Sequence, residues 1–101
     1  LKLVFIITLI PNILFAKTKY FEQGVNLYKD KKFDEAKFKF EQDIVFNPKN
    51  EEAVYNLAKL KLNSSDYKKS KELNEKLISF CDKFCSKSQK LKIEIENLSK
   101  K

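Results

Sequence analysis

The chain contains no histidine, arginine, methionine or tryptophan, and a single glycine among its 101 residues. Without histidine, acid–base work at neutral pH would fall to carboxylates or lysine, and the Asp and Glu side chains are scattered over positions that read as exposed helix. One glycine, set inside a helical pattern, excludes a Gly-rich phosphate loop. Two cysteines with no histidine beside them form no metal-ligand set. All 21 basic residues are lysine, against 14 acidic ones, for a formal charge of +7. Nucleic-acid readers favour arginine forks for guanine edges and phosphates, so this balance reads as a solvated Lys-rich helical surface without a nucleic-acid partner. The sequence thus points to a non-enzyme with no cofactor and no metal.

What is present centres on residues 24–48, GVNLYKDKKFDEAKFKFEQDIVFNP. Tyr20, Gly24, Leu27 and Tyr28 fall at helical spacing before a Lys/Asp-rich turn. Phe33, Ala36, Phe40 and Ile44 then recur at steps of three and four, on one helix face, before the Asn47-Pro48 stop. This arrangement resembles the tetratricopeptide repeat, a helix-turn-helix unit of 34 residues. In that family small residues sit where two helices cross and large ones fill the space beside them; Gly24 and Ala36 match the small positions, and Phe33, Phe40 and Pro48 the large ones and the stop. A fainter second copy follows in the same register. It places Ala58 for Gly24, Tyr67 for Phe33, Ser70 for Ala36 and Ile78 for Ile44. Asn74 replaces Phe40 and Asp82 replaces Pro48, with Leu73 and Leu77 placed to supply the lost core contacts.

Leu1 to Ala16 differs from the rest. Lys2 is its only charge, the apolar run Leu3–Ile10 follows, and the stretch closes on Ala16. This reads as a secretory leader cleaved after Ala16, with an uncleaved membrane anchor as the rival. Pro11 interrupts the run, which falls short of the roughly 20 residues of a membrane span. Cleavage leaves 85 residues, enough for one small domain, in a periplasmic or secreted setting. The expected layout is residues 1–16 leader, 17–50 first repeat, 51–84 degenerate second repeat and 85–101 capping helix.

The expected fold is all-α: two antiparallel hairpins and a C-terminal capping helix, a short solenoid. Helix one starts near Thr18, and helix two runs from about Asp34 to Phe46. Asn50 caps helix three, which Asn63-Ser64-Ser65 ends. Helix four is expected from about Asp66 to Phe84. Ser86-Lys87-Ser88-Gln89 reads as a capping box opening helix five, with Leu91, Ile95 and Leu98 as its buried stripe.

Cys81 and Cys85 then share a face of helix four. At that spacing Cβ atoms stand about 5–6 Å apart, wider than the roughly 3.5–4.5 Å of a relaxed disulfide. A helix end can tighten, and an oxidising compartment favours pairing. The alternatives are two reduced core thiols, or a redox or metal role, though the spacing fits neither C-x-x-C nor haem attachment.

In the repeat family the first helix of each unit lines a concave binding surface. The resemblance places Phe21, Val25 and Tyr28 there, with Tyr55, Asn56, Lys59 and Leu62 on helix three. Phe21 and Val25 have a rival role, packing against a neighbouring copy or the chain's own start. Some family members clamp a C-terminal carboxylate here; only Asn56 fits that pattern, so no clamp is expected. The function implied is capture of a partner protein, as a peptide or helix in the groove. The competing classes are a self-associating structural subunit of an envelope complex, and a small thiol redox protein acting through Cys81 and Cys85. A membrane enters only if the N-terminal segment is retained.

Overall fold

The computed structural model describes residues 19–101. The expected leader, residues 1–16, with its cleavage point before Lys17 and the start of helix one at Thr18, lies outside the described residues. Among the described residues the chain is all-α, with five helices and no strand. These are α1 (residues 19–29), α2 (Phe33–Phe46), α3 (Glu51–Asn63), α4 (Tyr67–Phe80) and α5 (Cys85–Ser99). They group into two compact units, one ending at Asn47 and the other spanning Pro48–Lys101. No helix among the described residues is long and apolar enough to cross a membrane.

In the first unit, α1 and α2 form a hairpin around Gly24, Ala36 and Phe40, all buried. The side chain that meets Gly24 is Phe40: a Cβ at Gly24 would stand 2.7 Å from the Phe40 ring. A bare helix backbone at this position is what lets a phenyl ring come this close to α1. Asp34 and Glu35 occupy the first turn of α2, where carboxylates suit the positive helix end. The helix stops where Pro48 disfavours helix in the residue before it. Aromatic pairs fasten both flanks, Tyr20 stacked on Phe46 at 5.7 Å and Tyr28 edge-on to Phe33 at 5.4 Å.

The turn of this hairpin and the one joining α3 to α4 share a design. Lys31 (φ 62°) and Ser65 (φ 65°) adopt the left-handed conformation, 34 positions apart. In the first turn Lys32 N–H donates to the Leu27 carbonyl; in the second Asp66 N–H donates to that of Lys61. Each bond closes a Schellman-type C-cap. The buried positions follow the same offset: Gly24 and Ala58, Ala36 and Ser70, Phe40 and Asn74, Asp43 and Leu77.

In the second unit α3 packs on α4, and α4 on α5. The Asn50 side chain accepts from Ala53 N–H and Asp66 from Lys69 N–H, so α3 and α4 both start on a side-chain cap. Each such cap stabilises by about 0.5–2 kcal/mol. Leu57, Leu77 and Leu91, one from each helix, are buried and form the centre of the core. Burial of a leucine is worth about 1.5–3 kcal/mol. At the crossing of α3 and α4 the Ser70 hydroxyl donates to the Ala58 carbonyl at 2.8 Å. Asn74, where the first hairpin has a phenyl ring, is buried and donates its amide to the Ser88 carbonyl at 2.9 Å. The residue that departs from the hydrophobic pattern therefore ties α4 to α5. Leu73 is also buried, as expected, and Leu98 is half-buried.

Two expectations fail at the α4–α5 junction. α4 ends at Phe80, not Phe84, because Cys81 turns out of the helix (φ −62°, ψ 150°). α5 opens at Cys85, and Ser86 does not cap it: Phe84 is the N-cap residue and makes no side-chain cap bond. What holds this junction is a carboxylate from α3.

Candidate functional site: an aromatic and lysine surface at the α4–α5 loop

Glu51 begins α3, one turn before Tyr55. Its carboxylate accepts hydrogen bonds from three consecutive backbone N–H groups, those of Asp82, Lys83 and Phe84, the last two at 3.1 Å. The bond from Asp82, then those from Lys83 and Phe84 and the Lys83 charge, hold the Glu51 carboxyl below its ordinary value of 4.5, against an opposing contribution from burial. The loop bends because these donors converge on one acceptor.

The bend places Phe84 against Tyr55, ring centroids 5.5 Å apart. Two lysines cover the pair. Lys59 Nζ stands 5.6 Å from the Tyr55 centroid, and Lys87 Nζ stands 5.9 Å from Tyr55 and 4.7 Å from Phe84. Tyr55, Lys59 and Phe84 are half-buried and Lys87 is exposed. Neither lysine has a carboxylate partner among the described residues. Cation–π contacts at such exposed sites are worth about 0.5–1 kcal/mol each. They leave the ammonium groups open to a further anion.

Cys81 and Cys85 flank this loop rather than sharing a helix face. Cys81 follows the last residue of α4, Cys85 begins α5, and the two Sγ atoms stand at disulfide distance with Cα atoms 5.3 Å apart. The helical separation that made pairing look strained does not apply, because residues 81–84 are not helical.

Of the residues expected to line a groove, Tyr55 and Lys59 belong to this surface and Asn56 is half-buried on the same helix. Leu62 does not line an open surface; it is buried, because the end of α3 is packed. Phe21, Val25 and Tyr28 on α1 are half-buried, and their own hairpin accounts for much of that: Phe21 lies 6.1 Å from the Phe40 ring and Tyr28 against Phe33. Glu51, Phe84 and Lys87 were not legible as site residues. The sequence pattern runs α4 on to Phe84, whereas the helix ends at Phe80, and Glu51 reaches a loop more than 30 residues away, which no local pattern records.

A separate cavity of about 350 Å³ opens between α4 and α5, over Asn74, Ile78 and Ile95, with Lys71, Glu75, Lys92 and Glu96 at its rim. No cluster of three metal-binding side chains occurs among the described residues. No family model, no curated protein and no solved structure matches the chain.

Proposed function

We propose that the protein is a non-enzymatic protein-interaction module built from tetratricopeptide-like hairpins, acting in an exported compartment on an acidic partner segment with apolar side chains. The observation that carries this reading is the Tyr55–Phe84 pair under the ammonium groups of Lys59 and Lys87, which meet no carboxylate among the described residues. Rings supply area at low entropic cost and lysines select negative charge, the combination that suits a peptide with alternating apolar and acidic residues. The repeat resemblance is supported by the two like turns and the matched buried positions at an offset of 34 residues. Export rests on the apolar leader pattern of residues 1–16. Phe21, Val25 and Tyr28 retain partial exposure on the first hairpin, an apolar contact surface of that unit by itself.

The test is a fluorescence titration with two labelled peptides, one alternating Glu and Leu, the other alternating Lys and Leu. The acidic peptide should bind, weaken with salt, and lose about fivefold or more in affinity with Tyr55→Ala, since anchor rings commonly carry more than about 1 kcal/mol. Equal binding of both peptides, or unchanged affinity of Tyr55→Ala at unchanged helicity, refutes the reading.

Self-association has one observation in its favour. Phe38, Val45 and Phe46 on α2 are 59%, 77% and 51% exposed, an apolar strip that a second copy could cover. Sedimentation at rising concentration decides this: a species of monomer mass at every concentration removes it.

A further inference from the structure

The three residues inside the Cys81–Cys85 bracket are Asp82, Lys83 and Phe84, and the N–H of each donates to Glu51. The covalent bracket and the carboxylate therefore hold the same three-residue arc from opposite sides. The helices on either side lend the arc little order. α4 ends on a residue that has already left the helix, and α5 begins without a side-chain cap. Phe84 and Lys87, which complete the surface over Tyr55, are carried by this arc and by the first turn of α5.

We infer that the Cys81–Cys85 disulfide is a redox-cleavable clasp that holds Phe84 and Lys87 over Tyr55. This rests on the partner surface proposed above and adds its regulation. Two constraints on one short arc are coupled: whichever is made first lowers the entropy lost in making the other, and removing either loosens the second. Cleavage proceeds by thiol–disulfide exchange with a dithiol reductant. One reductant thiolate attacks Sγ of Cys85, the more exposed of the two residues, and the Cys81 sulfur leaves as a thiolate that takes up a proton. The second reductant thiol displaces Cys85 from the mixed disulfide. Two protein thiols result, and the reductant is oxidised to its own disulfide. So short a ring constrains the unfolded chain little, so the consequence is local to the arc and the hairpins stay folded.

The experiment compares the oxidised full chain with the same chain after reduction by dithiothreitol, the free thiols counted by alkylation and mass. Amide hydrogen exchange is read at Asp82, Lys83 and Phe84, with α3 and α4 as internal references. Reduction should raise exchange at the three loop amides by tenfold or more, leave the references unchanged, and remove the Tyr55–Phe84 ring contact from the NMR spectrum. Glu51→Gln in the oxidised chain should raise the same three rates by a smaller factor. Two fully alkylated thiols with undiminished loop protection overturn the clasp. So does a chain that yields two free thiols when isolated, without reductant, from an oxidising compartment. The acidic peptide is then titrated against both forms as a separate arm. Weaker binding by the reduced form supports regulation of the surface, equal binding refutes it, and no binding by either form refutes the surface itself while the exchange rates still decide the clasp.

Discussion

Gly24→Ala isolates the geometry of the first hairpin. In the middle of an exposed helix this change gains about 1 kcal/mol, because alanine is the better helix former. Here the added Cβ would stand 2.7 and 2.8 Å from Cε1 and Cδ1 of Phe40 and 3.2 Å from Cζ. Carbon atoms pack comfortably at about 3.5–4.0 Å, so the ring has to retreat by close to 1 Å. Phe40 is fully buried and shares its surroundings with the Phe21 ring, so the retreat displaces other side chains. Overpacking of this kind costs about 1–3 kcal/mol, which exceeds the helix gain and leaves a net loss of about 1 kcal/mol. In a domain of this size that lowers Tm by about 4–8 °C. Urea unfolding followed by far-UV circular dichroism should show a lower midpoint at unchanged slope. The Phe40→Leu background sharpens the test. With a smaller side chain opposite, Gly24→Ala should become neutral or stabilising, giving a coupling of about 0.5–3 kcal/mol between the two sites. A Gly24→Ala chain that melts higher than the wild type, with no coupling to Phe40, would refute the close approach and with it the packing of α1 on α2.

Ser70→Ala removes the buried hydroxyl bond to the Ala58 carbonyl and should lower stability by about 1 kcal/mol in urea unfolding; an unchanged midpoint would mean that α3 and α4 do not cross there. Glu51 has a lowered carboxyl pKa, so its contribution is present above the ordinary value of 4.5 and is lost as the pH falls through the lower folded value. The difference in loop-amide protection between wild type and Glu51→Gln should therefore be constant at neutral pH and close below about pH 4.5; an equal difference at pH 3 and pH 7 would show that the carboxylate charge plays no part.

The readings that succeeded from sequence rest on local physics. Asn50 was legible as a cap because a side chain and an N–H three residues on make the whole interaction. The α2 face was legible because Ala36 and Phe40 are one turn apart on a helix stopped by Asn47-Pro48. The errors share a different cause. The end of α4, the start of α5 and the placement of Cys81 and Cys85 border a loop whose three N–H groups donate to Glu51, which lies in another helix. Ser86 had the sequence of a cap, and the backbone around it was already committed to that carboxylate and to a turn beginning at Cys81. Leu62 shares a helix with Tyr55, but periodicity cannot say which end of that helix is covered. Half of the candidate surface was thus readable: Tyr55 and Lys59 through the resemblance to the repeat family, but not Phe84 and Lys87, which a loop delivers.

The left-handed residues at both hairpin turns bear on the order in which the chain folds. A side chain in that conformation costs roughly 1–2 kcal/mol that glycine avoids, and Lys31 and Ser65 both take it. The only glycine of the chain lies instead within α1, under the Phe40 ring. These turns are unfavourable on their own and form only when helix contacts on either side hold them. The helix crossings, at Gly24 with Phe40 and at Ala58 with Ser70, are therefore expected to form first and the turns to close afterwards. A glycine at position 31 or 65 would accordingly slow unfolding more than it speeds folding, lengthening the life of the folded hairpin rather than hastening its birth.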